Sequence, residues 1–462
     1  MTAFKSVAPY PVTYHTSVLH PFTDFARYAE EGPHIIVRGN GVHVEDEDGK
    51  RYIEGVSGLW SISLGFGQQR LADAAYKQFL ELPSYHIFRG KSHPRAAELA
   101  DRLLSISPAP MSKVFFANSG SEANDTAVKL VWYYNNALNR PKKKKIISRV
   151  GAYHGVTVAS GSMTGLDRIH ADVDLPLPGF LYTDCPAYWK CGVAGETEGD
   201  FVERLARNLE ALIERECPET IAAFIAEPVM GVGGVILPPA GYFERIVPIL
   251  KRHDILFIVD EIITGFGRLG YMFGSEAFEL RPDILTCAKG LSSGYLPISA
   301  VMINEDIWEA CFHKNKKSGL FGHGFTTSGH PVSAAVAIET LRLYEEFDIL
   351  GNVNRNAPIL EKGLRSLSNH PLVGNARGMA FIGAVELIRN KKTKEAFDPA
   401  TNIGFFAERR CLAHGLILRA LGDTIAIAPP LIADGATIET ILQKLTVALD
   451  ETLLYAEQNG YV

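Results

Sequence analysis

Ile255-Leu-Phe-Ile-Val-Asp260-Glu261 is an apolar, β-branched run that ends on two acids, and Asp283-Ile-Leu-Thr-Cys-Ala-Lys289-Gly290 is a second that ends on a lysine. Runs of this length and composition read as strands buried on both faces, the mark of a parallel sheet. Open α/β sheets bind ligands outside the carboxyl ends of their strands. Asp260 and Lys289 are therefore expected at the same end of one sheet. A strand-end acid and a surface lysine would look no different, so the meaning of the pair depends on the rest of the chain.

Outward from that pair, short apolar runs alternate with amphipathic helices, the grammar of a mostly parallel sheet. Strands are predicted at 114–117, 145–149, 221–226, 255–259, 284–287 and 298–303, with helices over 121–138, 200–216 and 240–252. Upstream, helical periodicity covers 70–82 and 94–106, the second opening on Pro94. Residues 35–54 alternate apolar and polar with Asn-Gly and Asp-Gly breaks, as in a β-meander. A long helix over 332–346 leads to a second region of mixed helices and short strands.

At 462 residues the chain exceeds a single core, so two domains plus terminal segments are expected. The divisions read as 1–60, a segment packing with the smaller domain; 61–331, the large domain; and 332–462, a linking helix and the small domain. Hydrophobic and charged contents of 47% and 21% are those of a folded globular protein. The net charge of −6 argues against nucleic acid as the main partner. Lys142-Lys143-Lys144-Lys145 is the one basic run, and it reads as a solvated corner between helix and strand. The six cysteines lack metal-ligand spacing, which fits reduced thiols, no metal site and a cytoplasmic enzyme. No run approaches the roughly 18 apolar residues of a membrane span, and no signal peptide is evident.

Several strand ends carry chemistry. Val114-Phe-Phe-Ala-Asn-Ser119-Gly120-Ser121-Glu122-Ala-Asn124 is a strand, a polar turn and a helix start, with Ser119 and Glu122 at capping-box spacing. Such a turn directs free N–H groups and the positive end of the helix dipole at an anion. Tyr153-His154-Gly155 follows another strand, where an aromatic ring could stack on a planar heterocycle. Glu227 ends a third, and Gly322-His-Gly-Phe-Thr326-Thr327-Ser-Gly is a hydroxyl-rich loop. A lysine and an acid beside a phosphate cup suit pyridoxal phosphate: the lysine forms the Schiff base, and the acid keeps the pyridine nitrogen protonated. Gly265-Phe-Gly267-Arg268-Leu-Gly270 matches a dinucleotide fingerprint, but its glycines do not open a helix directly after a strand, so a nicotinamide site is rejected.

Asn118-Ser-Gly-Ser-Glu-Ala-Asn124, Tyr153-His-Gly155, Glu227-Pro228, Asp260-Glu261, Gly265-Phe-Gly-Arg268 and Lys289-Gly290 together closely resemble the class III aminotransferases, over nearly the whole chain. Gly58-Leu59-Trp60 is similar to a stretch of the ω-amine:pyruvate transaminases within that class. The resemblance implies α/β architecture of fold type I, with a mostly parallel sheet of seven-stranded type in the large domain and a smaller α+β domain. It implies Lys289 as Schiff-base lysine, Asp260 on the pyridinium nitrogen, and Tyr153 and Ile262 on opposite ring faces. Ser119, Gly120 and Ser121 would hold the phosphate, with Thr326 contributed by the partner of a homodimer or tetramer. His154 and Glu227 would lie beside the cofactor. Phe22, Trp60, Phe88, Tyr153 and Val232 would line the substrate pocket, and Arg419 would take the substrate carboxylate.

The expected reaction is ping-pong transfer of an amino group from a primary amine or ω-amino acid to pyruvate. The alternatives are a 2-oxoglutarate-dependent 4-aminobutyrate or ornithine type and an aminomutase or racemase. A second carboxylate would need a second cation, and no basic residue in the sequence clearly supplies one.

Overall fold

In the computed structural model, residues 18–462 are described. The chain opens with an antiparallel meander of β1 (Ile36–Asn40), β2 (His43–Asp46) and β3 (Arg51–Glu54). The central sheet takes β4 (Lys113–Ala117), β5 (Lys145–Arg149), β6 (Phe180–Thr183), β7 (Ile221–Ala226), β8 (Leu256–Asp260), β9 (Ile284–Cys287) and β10 (Ser299–Ile303). The C-terminal region adds β11 (Val373–Met379), β12 (Ile382–Leu387), β13 (Leu416–Ile417), β14 (Arg419–Leu421) and β15 (Thr424–Ile427).

The seven central strands run in the order β4-β10-β9-β8-β7-β5-β6. β10 is antiparallel to both neighbours, and every pair from β9 to β6 is parallel. β7 and β8 are buried at every position, which is why their sequences are continuous apolar runs rather than alternations. β6 is absent from the predicted strands: Phe-Leu-Tyr-Thr is short, and it forms by pairing with β5 at the sheet edge. β13 pairs in parallel with β3, tying the meander to the C-terminal region, and β11-β12-β15-β14 form a separate sheet.

The predicted helices form as Gln69–Glu81, Pro94–Ser105, Gly120–Ala137, Glu198–Arg215, Tyr242–Arg252 and Pro331–Glu346. The basic run is a correction. It does turn a corner into β5, but Lys143 is buried, donating to the His253 carbonyl. Lys144 donates to the Trp132 carbonyl and Lys145 to the Glu216 carbonyl and carboxylate. Long aliphatic stems let these ammonium groups reach backbone carbonyls while the chain turns into β5.

Candidate active site

β4, β5, β7, β8 and β9 bring Ser119, Tyr153, Glu227, Asp260 and Lys289 to one end of the central sheet, each in the turn that leaves its strand or at its last residue. Asp260 is almost fully buried. Its Oδ2 accepts from Asn124 Nδ2 at 2.8 Å and lies 2.8 Å from His154 Nδ1, while its Oδ1 accepts from the Ile262 amide at 3.0 Å. Asn124 also donates to the His154 carbonyl and accepts from Thr286 Oγ1, joining the helix Gly120–Ala137 to β9 and to the Tyr153 turn. The carboxylate is thereby fixed in orientation before any ligand binds. His154 Nε2 is buried without a hydrogen-bond partner among the described residues.

Glu227 works beside it. One oxygen accepts from the Tyr153 amide and the other from the Gly231 amide, so this acid clamps two loops. Burial pushes its carboxyl up, with Asp260 adding to the rise while His154 and Arg149 oppose it. Glu261, next to Asp260, is turned away. It accepts from Thr264 Oγ1, the Gly274 amide, and both the amide and hydroxyl of Ser275. Glu261 is therefore occupied in holding the loop after β8.

Lys289 opens a tight turn, Lys289–Ser292, with φ of 45°. That left-handed conformation disfavours a side chain, and such strain persists where surrounding structure imposes it. Here Tyr344 donates its hydroxyl to the Gly290 carbonyl and Gly290 packs against Phe266. Burial lowers the Lys289 ammonium to about 8, against the pull of Asp260 and Glu227. Lys289 thus reaches its neutral amine form at a much lower pH than an ordinary lysine, although near pH 7 the ammonium still predominates.

The cup beneath is the start of the helix Gly120–Ala137. Ser119 Oγ accepts from the Glu122 amide, but Glu122 returns its carboxylate to the Asn118 amide and side chain, not to Ser119. The capping box is therefore half made. A side chain at Gly120 would stand 2.8 Å from Ile262 Cδ1, so only glycine leaves the backbone open there. Ser121 Oγ accepts from the Val156 amide and ties the cup to the Tyr153 turn.

Trp60 stands on the other side. Its ring is buried, with Lys289 Nζ 5.7 Å and the Arg419 guanidinium 5.2 Å from its centroid. Val232 belongs to the same buried cluster, and Tyr153 packs against it. Arg419 opens β14, and no salt-bridge partner stands beside it among the described residues. Three sequence-derived residues are not gathered here. Phe22 is 64% exposed, Phe88 is 40% exposed and stacked towards Gly324, and Thr326 is exposed beside Thr327, which donates to Asn118.

Two residues escape sequence reasoning. Asn124 was legible as part of a motif, but its bridging of Asp260, His154 and Thr286 needs the fold. Arg268 is fully buried, donating to the carbonyls of Phe381 and Pro429 and to Ser57 Oγ, which pins the loop after β8 to the C-terminal region.

The donor set fits pyridoxal phosphate. A fixed carboxylate can hold a pyridinium proton, a depressed lysine can react with an aldehyde, and an open helix start can take a phosphate. Among the described residues no cluster of metal ligands occurs. These features define a pyridoxal-phosphate enzyme of fold type I. Residues 25–449 match the family model of the class-III aminotransferases, and the chain belongs to that family. It is 49% identical over 436 residues to γ-aminobutyrate transaminase 3, chloroplastic, of Solanum lycopersicum, covering 94% of this chain and 84% of that one. The ω-transaminase of Pseudomonas jessenii in complex with PMP superposes with a TM-score of 0.94 at 50% identity, over 95% of this chain and 97% of that one. A thermostable ω-transaminase variant with a tryptophan, a phenylalanine and an arginine replaced, engineered for synthesis of bulky amines, superposes equally well: TM-score 0.94, 49% identity, 95% and 98% coverage. The protein is therefore a transaminase that uses pyridoxal phosphate.

Proposed function

We propose that the enzyme moves an amino group from a primary amine or ω-amino acid to pyruvate by a ping-pong reaction. The observation that carries this reading is the Trp60 ring set between Lys289 and Arg419: an apolar wall for the amine and one unpaired cation for a carboxylate, both at the reactive lysine. Bound pyridoxal phosphate supplies an electron sink for the carbon that loses its proton. Lys289 Nζ takes that proton, and its lowered pKa keeps it competent as a base. Asp260, its carboxylate held still by Asn124 and His154, would keep the pyridine nitrogen protonated. Tyr153 and Ile262 would cover the two ring faces, and the first turn of the helix Gly120–Ala137 would hold the phosphate. Arg419 pairs with the pyruvate carboxylate in the second half-reaction.

A homodimer completes the site. Leu59, Phe22, Tyr85 and Phe88 are exposed apolar side chains of the kind a second copy covers, and Thr326 reaches the partner's phosphate cup. The replaced tryptophan, phenylalanine and arginine of the engineered relative are the residue types found here as Trp60, Phe88 and Arg419, which supports their pocket role.

The second reading is a 4-aminobutyrate transaminase, favoured by the tomato relative. Single half-reactions separate acceptors: the enzyme is converted to its aminated form with an amine, then given pyruvate or 2-oxoglutarate. Return of the lysine-bound cofactor absorbance with pyruvate alone supports the proposal. A faster return with 2-oxoglutarate overturns it.

A further inference from the structure

The loop 322–329 lies along the helix Gly120–Ala137, whose start is the phosphate cup, and is fastened to it at two points. Thr327 Oγ1 donates to Asn118 Oδ1 at 2.8 Å, just ahead of the helix. Further along, His323 Nε2 stands 2.9 Å from Thr126 Oγ1 and His323 Nδ1 stands 2.9 Å from Lys129 Nζ. Thr326 is exposed between these two fastenings. The far end of the loop is held as well, with His93 Nε2 2.8 Å from the Gly329 carbonyl.

One protonation state of His323 satisfies both of its contacts. The Thr126 hydroxyl donates to the Glu122 carbonyl one turn back at 2.7 Å, so its oxygen accepts from His323. Nε2 therefore carries the imidazole proton, and Nδ1 is bare and accepts from the Lys129 ammonium. A second proton would set an N–H against that ammonium. Burial and the Lys129 charge accordingly push the imidazole down to about 4. The ring is also stacked on Phe115 of β4, with centroids 5.2 Å apart and planes 9° apart, and it meets Phe321 and Phe325 edge to face at 5.9 and 5.2 Å. Two hydrogen bonds of fixed sense and a stacked face thus define one position for a side chain whose loop carries Gly322, Gly324 and Gly329 and would otherwise be free in its backbone.

We propose that His323 is a positioning residue for the cofactor phosphate, its imidazole locking the loop 322–329 along the cup helix so that the hydroxyls of Thr326 and Thr327 stay at the phosphate-binding rim. This rests on the phosphate-cup assignment made above and adds a residue on which that cup depends. The path is continuous. His323 holds Thr126, Thr126 donates to the Glu122 carbonyl, and the Glu122 carboxylate takes the amide and side chain of Asn118, which Thr327 meets from the loop. Loss of the His323 contacts releases one end of that circuit and leaves Tyr153, Asp260 and Lys289, which face the ring and the aldehyde, untouched. The effect is therefore confined to ligands that carry the phosphate.

The test measures the affinity of full-length, cofactor-free protein for pyridoxamine phosphate and for pyridoxamine, which lacks the phosphate, by calorimetry. Neither ligand forms a Schiff base with Lys289, so the two differ only in the group the cup would take. His323→Phe keeps a ring on Phe115 but makes neither hydrogen bond. It is expected to weaken pyridoxamine phosphate about tenfold and pyridoxamine by less than about twofold. His323→Gln, whose amide can donate to Thr126 and accept from Lys129, is expected to recover most of the loss. Thr126→Val removes only the acceptor on the helix and covers the case in which His323→Phe fails to fold; a loss of about threefold, again for the phosphate ligand alone, is expected. An equal loss for both ligands overturns the proposal, as does an unchanged affinity for pyridoxamine phosphate. Wild-type protein that binds pyridoxamine phosphate no more tightly than pyridoxamine overturns the phosphate-cup assignment itself, and the proposal with it.

Discussion

The Asp260 side and the Trp60 side of this site are built by opposite rules. Around Asp260 the carboxylates are held on both oxygens: Asn124, His154 and the Ile262 amide fix Asp260, and Glu227 clamps the Tyr153 and Gly231 amides. Around Trp60 polar groups are left open. Among the described residues its indole N–H is buried without a partner, and Arg419 faces the ring with no salt bridge. A prearranged side suits a group that every turnover needs in one orientation, since preorganised dipoles need no rearrangement during reaction. An open side suits substrates that differ between half-reactions, one carrying a carboxylate and one not. Rigidity goes to the cofactor and openness to the choice of substrate.

The largest effect on that division comes from Lys289→Ala. It removes both the group that joins the cofactor and the base, so turnover falls by at least about 10⁴-fold, measured by steady-state kinetics alongside loss of the lysine-bound cofactor absorbance. An active variant would contradict the assignment of Lys289. Asp260→Asn keeps the shape but removes the charge, and turnover is expected to drop about 10³-fold with the cofactor still bound. Arg268→Met strands the Phe381 and Pro429 carbonyls and is expected to cost about 3 kcal/mol of stability, read as a shift in the denaturant midpoint. Glu227→Gln sets an amide N–H₂ against a backbone N–H at one of its two contacts. A loss of about 2 kcal/mol is expected, with weaker cofactor retention because the Tyr153 turn loosens.

The smallest and most specific effect is on pH. Below a pKa of about 8 Lys289 is an ammonium, and only the neutral amine reacts with an aldehyde. Recapture of pyridoxal phosphate by cofactor-free protein is therefore expected to speed up with rising pH and level off near 8, against about 10.4 for an ordinary lysine. The same depression has a stability consequence. The unfolded chain holds this proton more tightly, so the folded state gains stability as pH rises from about 8 towards the ordinary lysine value. A plateau at the ordinary value would contradict the desolvated environment assigned to Lys289.

Much of the Asp260 side is legible in the sequence, because buried parallel strands announce themselves as apolar runs and their ends carry the chemistry. Asp260, Glu227, Tyr153 and Lys289 are all read from that rule. The less regular features are not. β6 forms because β5 offers an edge, Lys143 turns inward to meet a carbonyl, and the Ser119 capping box is half replaced by Asn118. Arg268 pins two regions that no local pattern connects. Phe22, Phe88 and Thr326 are exposed in the single chain, and their proposed roles depend on a second copy.

The division between a fixed cofactor side and an open substrate side is tested most directly by single-turnover kinetics on Arg419→Ala, one half-reaction at a time. Amination of the cofactor by 1-phenylethylamine is expected to proceed at close to the wild-type rate, while the return step with pyruvate slows by about 100-fold as the carboxylate loses its cation. Equal slowing of both steps, or loss of the cofactor, would contradict the division and place Arg419 in the machinery that holds the reacting group.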